Sequence, residues 1–221
     1  MNEKNERKMV TKEQRSRLDE IIRTYREKEH HVLRLSLQMI TIDDVEGLVS
    51  GYTLQLKQDD RICGISCKSK KPLAGVSVDD LVKPYISPYP HQWWMKKTTR
   101  RKIAQRLIDE KVLERQYASF DELYDELLRL KLTTGDLFRY DLALRIGHCM
   151  GLSPKAYVYL HRGALEGARA LHDKDLVTLP EKWEHRVKRE VFDDVFPDLD
   201  AMDIENILCV CKKKFSKTWK L

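Results

Sequence analysis

The chain has 221 residues, 42% of them hydrophobic and 34% charged, with a formal net charge of +6 and a pI of about 9.0. This length suits one sizeable core or two small domains, and the composition is that of a globular chain rather than a disordered one. No apolar run approaches the ~20 residues that span a bilayer, and none follows the charged start, so the expectation is a cytoplasmic protein without a membrane partner.

A helix is predicted from Thr11, because Leu18, Ile21, Ile22 and Tyr25 recur at helical spacing between charged residues. Leu33, Leu35, Leu37 and Met39 then alternate with Arg34, Ser36 and Gln38, which is the spacing of a strand. Thr41 and Asp44 resemble a capping box. Tyr52, Leu54 and Leu56 alternate ahead of Gln58-Asp59-Asp60-Arg61, a turn leading into Ile62. These patterns predict a small sheet within residues 32–78. Pro84, Pro88 and Pro90 interrupt any regular helix. They divide a small α+β or helical part, residues 1–92, from a helical domain, residues 93–221.

Helix signals strengthen after the prolines. Thr98 or Thr99 is placed to cap a helix carrying Ile103, Leu107 and Ile108. Ser119, with Glu122 three residues on, caps another that carries Leu123 and Leu127. Thr134 begins a third, which runs to Gly151. Ser153 caps a fourth, with Pro154 in the first position. Trp183, Val187 and Val191 suggest a further helix, and Asp203 begins the last. The fold class is therefore mainly α, with a helix-turn-helix hairpin in the C-terminal domain.

Five cysteines, Cys63, Cys67, Cys149, Cys209 and Cys211, are odd in number and irregular in spacing. That pattern predicts free thiols, with no disulfide, metal or cofactor; the alternative is a zinc site of Cys63, Cys67, Cys209 and Cys211. No phosphate loop, nucleophile elbow or His-Glu-x-x-His pattern occurs, and the reading is non-enzymatic.

Two segments bear on function. Lys96-Lys97-Thr98-Thr99-Arg100-Arg101-Lys102 places five cations in seven residues at a predicted helix start. The helix dipole disfavours positive charge there, and a docked phosphate offsets that cost. A solvated basic helix start is the plainer alternative. The second segment is Leu144-Arg145-Ile146-Gly147-His148-Cys149-Met150-Gly151-Leu152-Ser153-Pro154-Lys155-Ala156. It resembles the helix-hairpin-helix DNA-binding motif over residues 144–168, with its turn at 147–156. Gly151, Leu152 and Ala156 match the family pattern, while Ser153 stands at its second glycine. The resemblance implies a hairpin whose backbone N–H groups hold a DNA phosphate without reading sequence. Arg145, His148, Lys155 and Arg162 lie near the turn in sequence. An ordinary helical hairpin uses the same Gly and Ser-Pro punctuation.

Three readings follow. The first is a nucleic-acid-binding accessory protein that contacts the phosphates of DNA or RNA without sequence preference. Its contact set is Lys96, Lys97, Arg100, Arg101, Gly151, Ser153, Lys155 and Arg162. The second is a protein–protein interaction scaffold. The third is a glycosylase-like enzyme, in which the resemblance implies Lys155 as nucleophile and Asp173 as its assisting carboxylate.

Overall fold

A computed structural model describes residues 10–53, 55–58, 61–64, 85–86, 95–132, 134–181 and 185–217; side chains of 28, 31 and 52–94 are outside that description. The described residues hold seven α-helices and three two-stranded antiparallel sheets, so the fold is mainly α. The chain forms two compact units, residues 1–26 with 155–221 and residues 27–154. The division therefore does not follow the boundary expected at 92/93. The proline-rich segment that suggested it lies, apart from 85–86, outside the described residues.

In the first unit, helix α1 (Lys12–Gln38) starts at a reciprocal capping box. The Gln14 amide donates to Thr11 Oγ1 at 3.2 Å, and the Thr11 amide donates to Gln14 Oε1 at 2.9 Å. Leu18, Ile21 and Tyr25 are buried with Val158, Leu171, Phe192, Ile204 and Phe215, which is why this N-terminal stretch belongs with the C-terminal one. Strands β5 (Tyr157–Tyr159) and β6 (Arg186–Lys188) pair antiparallel, with Val158 opposite Val187, both buried. Arg186 lies 5.1 Å from the ring centroid of Tyr157 on the same ribbon. Helices α6 (Arg162–His172) and α7 (Ala201–Ser216) pack together closely. A Cβ on Gly167 would collide with the Leu208 carbonyl oxygen, and one on Gly163 would stand 2.5 Å from Cys209 Sγ. The two glycines thus let the helix backbones meet at a distance no larger side chain allows. Asp200 caps α7 by accepting from the Asp203 amide at 2.8 Å, so the helix starts at Ala201, two residues before the predicted point.

The loop before α7 is rich in acids, yet its carbonyl oxygens are bound by arginines. Arg189 donates to the carbonyls of Pro197 at 3.0 Å and Leu199 at 2.8 Å and pairs with Asp193. Arg15 donates to the Asp194 carbonyl. Turn carbonyls that would otherwise be left without donors are satisfied this way.

The second unit contains the end of α1, then α2 (Val45–Ser50), α3 (Lys97–Asp109), α4 (Phe120–Arg129) and α5 (Asp136–Cys149). Strand β1 (Tyr52–Thr53) pairs with β4 (Tyr85–Ile86), and β2 (Gln55–Gln58) pairs with β3 (Arg61–Gly64). The sheet expected within 32–78 is present from residue 52. Residues 33–38, however, are helix rather than strand. Leu35 and Leu37 are both buried along with Ser36, so the alternation did not reflect one wet and one dry face. Asp44, not Thr41, caps α2, accepting from the Gly47 amide at 2.9 Å. Ser119 caps α4 as expected, accepting from the Glu122 amide at 3.2 Å.

Arg145 is wholly buried in this unit. Its Nε donates to the Leu48 carbonyl at 2.5 Å and its Nη2 to the Val49 carbonyl at 3.4 Å. These are carbonyls of the last turn of α2, which carries no basic residue of its own. A guanidinium from α5 therefore caps the C-terminal end of α2 and complements its dipole.

Two substitutions test this packing. Gly167→Val should lower the stability of the first unit by at least about 2 kcal/mol, because the nearest obstacle is backbone. Arg145→Ala should cost the second unit a similar amount, since it leaves buried carbonyls without a donor. Chemical denaturation, with hydrogen exchange to assign the loss to a unit, checks both; wild-type midpoints in the variants would contradict the packing described.

Candidate nucleic-acid interface

The hairpin expected around Gly151 is only half formed. Helix α5 ends at Cys149 with Met150 as its C-cap, and Gly151, just past it, has φ of 71°, the left-handed conformation that glycine takes without strain. The Leu152 amide donates to the Gly147 carbonyl at 2.7 Å, and the Gly151 amide donates to the His148 carbonyl at 3.1 Å. This is a Schellman cap, and it uses the backbone donors that a phosphate would need. No helix starts at Ser153. The chain instead enters β5, and α6 begins only at Arg162, with His161 at its N-cap. Tyr157-Val158-Tyr159 is aromatic and β-branched, and Val158 buries against Val187. That pairing outweighs the Ser-Pro helix signal.

The cations near this turn in sequence are placed as follows. Arg145 is inside the core. His148 is held below the ordinary imidazole value, first by partial burial and then by the charge of Arg34, so it is neutral at pH 7. Ser153 and Lys155 are exposed. Arg162 is exposed but sits 3.6 Å from Glu166, which Lys212 also contacts at 2.6 Å. Lys155, Arg162 and Asp173 belong to the first unit, whereas Lys96, Lys97, Arg100, Arg101, Gly151 and Ser153 belong to the second.

The start of α3 keeps its charge at the surface. Lys96 occupies the N-cap with no side-chain hydrogen bond to the helix, and no acid lies in the first turn. Helix α3 thus begins one to two residues ahead of the predicted Thr98 or Thr99 cap. The first amides of a helix have no partner within it, and here the N-cap side chain supplies none. Lys96, Lys97, Arg101 and Lys102 are exposed, and no described residue forms an ion pair with them. Lys97 and Arg101, four residues apart, share one helix face. Arg100 differs, being half-buried with Nη1 donating to Ser50 Oγ at 3.0 Å. It ties α3 to the end of α2, a role that sequence spacing could not separate from that of its neighbours. Three arginines of the second unit are paired instead: Arg106 with Glu110 at 2.9 Å, Arg129 with Glu126 at 2.6 Å, and Arg139 with Asp136.

No hydrogen bond or ion pair joins Lys155 to Asp173. Both are exposed, and Asp173 is the C-cap of α6, its amide bonded to the Arg169 carbonyl at 2.8 Å. Among the described residues no group of three or more His, Cys, Asp or Glu side chains is arranged to hold a metal. Cys149, Cys209 and Cys211 are free thiols, and the side chains of Cys63 and Cys67 lie outside the described residues. No described helix is long and apolar enough to cross a membrane. Comparison with protein-family models, curated proteins and solved structures returned no match.

Two measurements follow from the local electrostatics. Burial pushes the Cys149 thiol up, so it should react with a disulfide reagent more slowly than a free cysteine at pH 8. Reaction at the free-thiol rate would contradict that burial. Because the unfolded chain binds the His148 proton more readily than the folded one, stability contributed at this site is present above the unfolded histidine value and is lost as pH falls through it. His148→Gln should flatten that part of the stability profile of the second unit as pH falls below the ordinary histidine value; an unchanged profile would argue against it.

Proposed function

We propose that this protein is a non-enzymatic nucleic-acid-binding accessory protein that contacts phosphate through the start of α3. The observation that supports the reading is the set of four exposed cations, Lys96, Lys97, Arg101 and Lys102, without carboxylate partners among the described residues, around a helix N-terminus without a side-chain cap. Amides and cations at one helix start favour an anion, and phosphate contacts carry no sequence information directly. The contact set is narrower than the sequence suggested. Arg100 acts by positioning α3, and the Gly151–Lys155 segment is not part of it.

Binding to duplex DNA should therefore be indifferent to sequence and steeply salt-dependent, with a slope of about −0.9 per phosphate contacted. The double variant Lys97→Ala with Arg101→Ala should reduce that slope by about one for each phosphate no longer neutralised, with sequence preference unchanged. Lys155→Ala should leave the slope as it is. Absence of binding at low salt and ~100 μM protein, the upper end of the usual range for non-specific sites, would count against the proposal and favour a protein partner.

A further inference from the structure

We draw no further inference here: the strongest candidate, the side-chain cluster of Tyr25, His161, Asp203 and Glu205 in the core of the first unit, is closed to solvent and its groups bond to one another, with Tyr25 on Asp203 at 2.9 Å and His161 on Glu205 at 2.5 Å, so it offers no face to a ligand and belongs to the packing of the core.

Discussion

Arg145 reaches from the middle of α5 to the last carbonyls of α2, and the second unit is organised around that contact. A six-residue helix is too short to be stable alone, and its buried C-terminal carbonyls need donors. Arg145 supplies them from within the core, and Arg100 approaches the same end through Ser50. Helices α2, α3 and α5 are thereby tied to one another by two guanidiniums. Burying a charge is costly, and this one is made tolerable by hydrogen bonds to carbonyls at the negative end of a helix dipole. With Arg100 turned toward Ser50, the outward cations of α3 are the residues on either side of it.

The first unit is held by a different device. Its close helix contact depends on the absence of side chains at Gly163 and Gly167, which brings α6 against α7. Around it, polar groups are satisfied locally. Tyr25 donates to Asp203, Asn206 donates to Tyr25 at 3.2 Å, and Arg189 binds the carbonyls of the loop before α7. Burial and the nearby Asp203 charge push the Tyr25 hydroxyl well above its ordinary value, so it remains a donor throughout the useful pH range. Two of the acids between Asp193 and Glu205 cap or pair: Asp200 caps α7, and Asp193 pairs with Arg189.

Helices with local signals were legible in the sequence. The Ser119 cap, the Gly151 stop and the apolar face of α1 over Leu18–Tyr25 all appear where spacing placed them, because their determinants lie within a turn or two of chain. Longer-range determinants were not legible. Ser153-Pro154 is compatible with a helix start, and only the pairing of Val158 with Val187, some thirty residues away, makes the segment a strand. Trp183, which lies outside the described residues, with Val187 and Val191 suggested a helix, yet residues 186–188 form β6 and 189–192 a 3-10 turn, because the partner strand sets the backbone there. The alternation of Leu33, Leu35 and Leu37 was overridden by propagation of an already formed helix. At the candidate site, five cations were visible but their division was not. Arg100 and Arg145 are identical in type to surface arginines, and only the fold turns them inward.

The most direct test of the phosphate contact is to titrate the whole protein with a short duplex at low salt and follow its backbone amides by NMR. The account predicts shifts concentrated at Lys97–Lys102, weakening as salt is raised, with Gly151–Lys155 unaffected. Shifts confined to Gly151–Lys155, or none at all, would contradict it.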